Sequence, residues 1–81
     1  MVNILIVDDH LIVREGIRLI LETQDEYCVI GEAENGQEAL SLMETITPDL
    51  ILLDLNMPIL DGLNFLKKLK NSGREIPVII L

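Results

Sequence analysis

The sequence contains a single cysteine, Cys28, so it cannot form an internal disulfide and has too few thiols for a cysteine-based zinc cluster. It also lacks any apolar run long enough to cross a bilayer. Met1 is followed directly by a strand-like segment, which leaves no room for a signal peptide. We therefore expect a cytoplasmic protein with no membrane partner.

Basic residues are scarce. Lys and Arg number 6 against 14 Asp and Glu, which gives a formal net charge of -8. A surface this acidic repels a phosphate backbone, so we expect no direct nucleic-acid binding by this chain. Cations and basic partner surfaces are the natural counterparts of such a charge.

The length of 81 residues allows one small domain over residues 1–81, with a core that is marginal for so short a chain. Hydrophobic residues nevertheless make up 49% of the sequence and the mean hydropathy is +0.41, which argues against a disordered segment. The composition therefore predicts a folded domain rich in buried aliphatic side chains.

Apolar runs alternate with segments of helical spacing. Strands are predicted at 3–7, 27–31, 50–55 and 76–81. The first helix is expected to bury Val13, Ile17, Ile20 and Leu21, with Arg14, Glu15, Arg18 and Glu22 mostly on the other side. A second helix is predicted over about 36–46, with a face formed by Ala39, Leu40, Met43 and Ile46; a third over about 61–71 is expected to bury Leu63, Leu66 and Leu69.

The resulting order is β-α-β-α-β-α-β, which is typical of a parallel sheet with helical crossovers. Strands without polar alternation suit a sheet that is buried on both faces. The sequence therefore predicts an open α/β fold, in which ligand sites form beyond the carboxyl ends of the strands.

Asp8, Asp9 and Asp54 each follow a strand of this predicted sheet. If the first and third strands are neighbours, three carboxylates meet at one edge, and two charges about 5 Å apart repel by roughly 3 kcal/mol at an effective dielectric near 20. Oxygen ligands of this kind suit Mg²⁺, which often also takes a phosphate oxygen. A carboxylate beside such an ion can act as a nucleophile towards phosphorus.

Simpler interpretations exist for the individual residues. Taken alone, each aspartate could cap a helix or lie in a turn, and Asp9 or His10 is a candidate cap for the first helix. His10 is otherwise expected to be a solvent-facing loop residue, and Cys28 a buried small apolar residue. Asp61 is predicted to cap the third helix. Lys67, Lys68 and Lys70 are expected to form a solvated helix face, with kinase docking as the alternative.

Four separated segments together resemble a response-regulator receiver domain, a CheY-like fold, and are most similar to the branch of NarL-type transcription regulators. These segments are "ILIVDDH" at 4–10, "GEAENGQEAL" at 31–40, "PDLILLDLNMPILDG" at 48–62 and "IPVIIL" at 76–81. The resemblance covers the whole 81 residues in order. It implies a flavodoxin-like three-layer parallel sheet with strand order 2-1-3-4-5, of which this sequence would hold the first four strands.

The resemblance also implies roles for individual residues in a two-component phosphorelay. Asp54 would be the phosphoacceptor, and the donor would be a phosphohistidine on a sensor histidine kinase. Asp9 would bind Mg²⁺ directly, Asp8 would hold it often through water, and Asn56 would offer its backbone carbonyl. Gly62 would permit the turn into the third helix, and Met57 and Pro58 would shape the loop before it.

The sequence departs from the family pattern at its end. It stops at Leu81, before the Ser or Thr that follows the fourth strand in the family, before the Lys that follows the fifth, and before any DNA-binding output domain. An apolar fourth strand at the sheet edge would then be open to pairing. We therefore expect this 81-residue chain to associate with itself.

Three other functions remain open at this point. A haloacid-dehalogenase-like phosphatase has a similar strand-end Asp but expects a second Asp two residues later, where this sequence has Asn56. A flavin-binding module would want a Gly- or hydroxyl-rich loop after the first strand, where two aspartates stand. A receiver used only as an interaction scaffold, without phosphorylation, is the third.

Overall fold

The computed structural model describes all residues from 1 to 81 and has the predicted element order. The strands are β1 (Val2–Val7), β2 (Tyr27–Ala33), β3 (Leu50–Leu53) and β4 (Val78–Ile80), and the helices are α1 (Leu11–Glu22), α2 (Gly36–Leu42) and α3 (Gly62–Asn71). None of these helices has both the length and the apolar character needed to span a membrane.

The four strands form one parallel sheet in the order β2-β1-β3-β4, as expected for the first four strands of a receiver. β1 and β3 are the inner strands, and Val7 lies opposite Leu53 in their register. The residues that follow these two strands therefore emerge side by side at the same edge of the sheet.

The inner strands are buried on both faces, which explains their continuous apolar sequence. Ile4, Leu5, Ile6 and Val7 of β1 are at most 1% exposed. Leu5 and Val7 contribute to the larger core, which includes Phe65 and Leu69 from the α3 side and Ala39 and Met43 from the α2 side. Ile4 and Ile6 contribute to a second core, against which Ile17 and Leu21 of α1 pack.

Several element ends differ from the sequence prediction. The second helix ends at Leu42 and not at residue 46, because the N–H groups of Glu44 and Thr45 donate to carbonyls three residues back, at Ser41 and Leu42. β3 ends at Leu53, where Asp54 begins a turn, whereas β2 continues to Ala33. β4 starts only at Val78, after Pro77, which has no N–H for the ladder.

The buried stripe of α1 differs from the predicted one. Ile17 and Leu21 pack on the sheet as expected, but Val13 is 41% exposed and Ile20 is 70% exposed. Arg14, which we expected on the outer side, is buried. Arg14, Ile17 and Leu21 are spaced i, i+3 and i+7, so they share one helical stripe. Hydropathy alone missed this stripe because one of its members is charged.

The third helix shows a similar shift. Its buried residues are Gly62, Phe65 and Leu69, while Leu63 is 57% exposed and Leu66 only packs against the edge of the core. Asp61 caps the helix as predicted, since its Oδ1 accepts a hydrogen bond from the N–H of Asn64 at 2.8 Å. The lysines of this helix are exposed as predicted, and Cys28 is only partly buried.

Candidate functional site

Four potential ligand side chains meet at the carboxyl edge of the sheet. Asp8, Asp9 and His10 follow β1, Asp54 follows β3, and one ligand atom from each lies within 4.8 Å of all the others. The sequence predicted that the three aspartates would converge here. The structure adds His10, which we had expected to be a solvent-facing loop residue and not a ligand; its side chain is exposed as expected, yet it lies in the cluster.

The sheet ladder fixes where the aspartates leave the strands. The N–H of Asp54 donates to the carbonyl of Val7 at 2.9 Å, and the N–H of Asp8 donates to the carbonyl of Ala33 at 3.0 Å. Each aspartate is thus still held by the neighbouring strand, while its side chain lies beyond the last regular strand residue. This arrangement gives the site a rigid base formed by three strands.

Asp8 is the buried member of the cluster, with 3% of its surface exposed. Its Oδ1 accepts hydrogen bonds from the backbone N–H of His10 at 2.8 Å and from the His10 ring nitrogen Nδ1 at 2.9 Å. Both contacts are made by the same oxygen. These contacts involve Oδ1 only and leave Oδ2 without a protein hydrogen bond.

The imidazole of His10 bridges two carboxylates. Its Nδ1 lies 2.9 Å from Oδ1 of Asp8 and 3.0 Å from Oδ1 of Asp9, although its side chain is 64% exposed. The hydrogen bond to Asp8 and the negative charge of Asp9 raise the pKa of His10 above its ordinary value. His10 also occupies the N-cap position of α1, but neither it nor Asp9 gives that helix a side-chain cap bond.

Asp54 and Asn56 are joined by a short turn. Oδ1 of Asp54 accepts a hydrogen bond from the N–H of Asn56 at 3.0 Å, so the main chain of Asn56 lies beside the Asp54 carboxylate. Met57 is buried in the larger core and anchors the loop that follows. Asp54 itself is half-buried, which leaves part of its carboxylate accessible from solvent.

Arg14 also contacts the acidic cluster, which the sequence did not lead us to expect. Its Nη1 donates to the backbone carbonyl of Asp8 at 2.6 Å, and its Nε donates to Oε1 of Glu32 at 3.2 Å. The spacing of Arg14 from Ile17 and Leu21 was the signal in the sequence that would have placed it on the inner side of α1.

The donor set fits a hard divalent cation. Three carboxylates supply oxygen atoms within a short distance of one another, and oxygen ligands are those that Mg²⁺ and Ca²⁺ prefer. The carboxylates repel one another unless a cation or a proton lies between them. When protonated, His10 supplies a counter-charge at the rim, and its nearest carboxylates are those of Asp8 and Asp9.

A scan against protein families matches residues 4–81 to the response regulator receiver domain. The chain is 52% identical over 79 residues to the transcriptional regulatory protein YdfI of Bacillus subtilis, covering 98% of this chain and 37% of that protein. It is 46% identical over 77 residues to the nitrate/nitrite response regulator protein NarL of Escherichia coli, covering 91% of this chain and 36% of that protein.

The fold agrees with these matches. The response regulator domain of Thermotoga maritima CheB superposes with a TM-score of 0.92 at 31% identity, over 99% of this chain and 59% of that domain. The chain thus spans a little over a third of the curated relatives named above, and more than half of this solved receiver domain.

Proposed function

The chain belongs to the response regulator receiver domain family, and from this premise we propose that residues 1–81 accept a phosphoryl group on the carboxylate of Asp54. The observation that carries the proposal is the position of Asp54. It is a half-buried carboxylate at the end of an inner strand, with the carboxylates of Asp8 and Asp9 within 4.8 Å. This position supports Asp54 as the carboxylate that would meet both a cation and a phosphoryl donor.

The proposed cofactor is Mg²⁺. Asp8, Asp9 and Asp54 would hold it through carboxylate oxygens, and Asn56 would add its backbone carbonyl beside Asp54. When bound, the ion supplies positive charge that offsets the repulsion between Asp54 and an incoming phosphoryl group. The oxygen donors of this cluster support the choice of a hard cation over a softer one.

The proposed reaction transfers a phosphoryl group from a phosphohistidine of the donor to the carboxylate of Asp54. An Asp54 carboxylate oxygen forms a bond to phosphorus, the bond from phosphorus to the donor's imidazole nitrogen breaks, and the leaving imidazole keeps the electron pair and then takes up a proton. The product is an acyl phosphate on Asp54. The chain would thus be a phosphoacceptor that promotes its own modification, and not an enzyme acting on a separate substrate.

The proposed biological context is a phosphorelay that regulates transcription. The donor would be a sensor histidine kinase, and the response would pass to a DNA-binding output domain outside these 81 residues, in the cytoplasm. The names of the relatives YdfI and NarL support this context. The net charge of -8 argues against DNA contact by the chain itself.

We also propose that the 81-residue chain associates with a second copy of itself. β4 lies at an edge of the sheet, where its outer side has no partner strand. Ile79, Ile80 and Leu81 are about half exposed along this edge. An open apolar strand edge of this kind favours pairing between chains.

The phosphoacceptor proposal is tested by incubating the chain with acetyl phosphate, with and without Mg²⁺, and recording the intact mass. We expect a phosphoryl adduct that requires Mg²⁺ and is lost in Asp54→Asn. Asp25→Asn is the matched control, because it removes the same charge from an exposed residue outside the site. Circular dichroism on each sample establishes that it is folded.

A folded chain that binds Mg²⁺ yet gains no phosphoryl group would contradict the proposal. That result would favour the alternative function, a receiver-like interaction scaffold that is not phosphorylated. An adduct that persists in Asp54→Asn would equally contradict it, because another residue would then be the acceptor.

A further inference from the structure

Arg14 is a buried arginine on the inner side of α1, with its side chain 8% exposed. Its guanidinium contacts three groups: the Asp8 carbonyl oxygen at 2.6 Å, Oε1 of Glu32 at 3.2 Å and Oε1 of Glu34 at 3.9 Å. We infer that Arg14 is a positioning residue for the acidic site, which fixes the Asp8–Asp9 segment in the geometry that binds the cation. This inference rests on the proposed metal site.

The Asp8 carbonyl belongs to the peptide group that joins the two proposed ligands. That group is planar and includes the N–H of Asp9, so holding its oxygen fixes the direction in which the chain enters Asp9. On the other side of Asp8, its own N–H is held by the carbonyl of Ala33. Arg14 therefore supplies the second of two restraints on the Asp8 backbone.

Arg14 is itself held in place from β2. Its Nε is paired with Glu32, whose other carboxylate oxygen lies 3.0 Å from Nη1 of Arg18 in a second ion pair. Arg14 thus donates in two directions at once, to Asp8 and to Glu32. A guanidinium can do so because its donors point in fixed directions within one plane, whereas a lysine ammonium is a compact charge that does not match two such acceptors equally well.

Stability alone does not require a charge at this position. Replacing a buried ion pair by an apolar residue of similar volume is often neutral or stabilising. Only the bond to the Asp8 carbonyl links Arg14 to the ligands, while the bond to Glu32 links α1 to β2. Substituting Arg14 removes both bonds, whereas substituting Glu32 changes only the bond between α1 and β2. The two variants therefore separate positioning of the ligands from packing of α1.

The experiment measures Mg²⁺ affinity by titration calorimetry and thermal stability on the same samples of the 81-residue chain. Arg14→Met keeps the side-chain volume and removes every donor, and we expect its Mg²⁺ affinity to fall by about ten- to a hundredfold, as for other residues that orient metal ligands. Glu32→Gln removes the charge but keeps an oxygen that can accept from Nε of Arg14, and it leaves the Asp8 contact in place, so we expect its affinity to stay within about twofold of the wild type. Arg14→Lys, which keeps one cationic donor, should recover part of the loss.

Amide NMR spectra of the metal-free proteins give a readout that does not depend on the metal. We expect the Asp9 resonance to shift in Arg14→Met and to stay in place in Glu32→Gln. Equal Mg²⁺ affinity of wild type and Arg14→Met, or an unshifted Asp9 amide, would overturn the inference.

The variants also separate this inference from the proposed function. A wild type that binds no Mg²⁺ counts against the metal site, and the Asp9 amide then decides whether Arg14 still positions the segment. If Arg14→Met does not fold, Arg14→Lys is the deciding variant. Wild-type Mg²⁺ affinity together with an unshifted Asp9 amide resonance would overturn the inference. Reduced Mg²⁺ affinity together with a shifted Asp9 amide resonance would support it.

Discussion

Gly62 packs directly against the main chain of Asp54. A Cβ atom placed on Gly62 would lie 2.6 Å from the Asp54 carbonyl oxygen and 2.6 Å from Cα of Leu55, and the Gly62 N–H donates to the Leu55 carbonyl at 3.2 Å. The first residue of α3 thus lies against the proposed phosphoacceptor. Glycine is needed here for this close approach, since Gly62 does not have the left-handed backbone that a turn role would require.

We expect Gly62→Ala to destabilise the fold by about 1–3 kcal/mol, because the added methyl must displace backbone atoms and not a flexible side chain. The shift would move Asp54, so Mg²⁺ affinity should fall as well. Urea unfolding and a Mg²⁺ titration measure the two effects.

Gly16→Ala is the matched control for this prediction. A Cβ on Gly16, inside α1, meets nothing within 4 Å, so this variant should gain up to about 1 kcal/mol from helix propensity. Equal free energies of unfolding for the two variants would contradict the account of Gly62.

The pKa of His10 offers a second prediction. Contacts with Asp8 and Asp9 raise it above its ordinary value, and His10 is the only histidine, so its ring resonance in proton NMR can be assigned without ambiguity. A bound cation beside these carboxylates would repel the imidazolium. We therefore expect Mg²⁺ to lower the pKa of His10, whereas Na⁺ at the same ionic strength should lower it much less.

The raised pKa of His10 makes the free energy of unfolding depend on pH. Because the pKa is higher in the folded state than in the unfolded state, the protonated imidazole stabilises the fold fully below the unfolded pKa. That contribution is lost as the pH rises through the folded pKa. A His10 pKa at its ordinary value would contradict the bridge between the carboxylates, and a pKa that Mg²⁺ leaves unchanged would contradict the proposed metal site.

Self-association through β4 is the third prediction. We expect the apparent mass in sedimentation to rise with concentration, and Ile79→Lys to reduce this rise because a charge on an edge strand opposes pairing. Ile12→Lys is the control, since it makes the same change at an 84% exposed position on α1. A monomer mass at all concentrations, or an equal effect of both variants, would argue against pairing at this edge.

The convergence of the aspartates was predictable from the sequence on the condition that the first and third strands are neighbours. Asp8 and Asp54 each follow an unbroken apolar run, and parallel neighbours bring such positions to one edge of the sheet. The strand order, including this adjacency, came from the resemblance to the family. The element order and the strand order match the expectation, whereas several element ends and the buried faces of α1 and α3 do not.

The contacts of Arg14 and His10 were not predicted, because they depend on how α1 is rotated over the sheet. Hydropathy assigned the charged Arg14 to solvent, whereas its ion pairs allow it to lie in the buried stripe. The loop after β3 was equally hard to anticipate. Ile59 has a φ of 69°, a conformation that β-branched residues rarely adopt, and nothing in its sequence context indicates this.

Phosphoryl transfer to Asp54 is tested most sharply by finding which residue carries the phosphoryl group. After reaction with acetyl phosphate and Mg²⁺, borohydride reduces an aspartyl phosphate to homoserine, releasing phosphate, and peptide mass spectrometry locates the change. We expect homoserine at position 54 and at no other aspartate. Homoserine at Asp8 or Asp9, or none in a folded and Mg²⁺-bound chain, would contradict it.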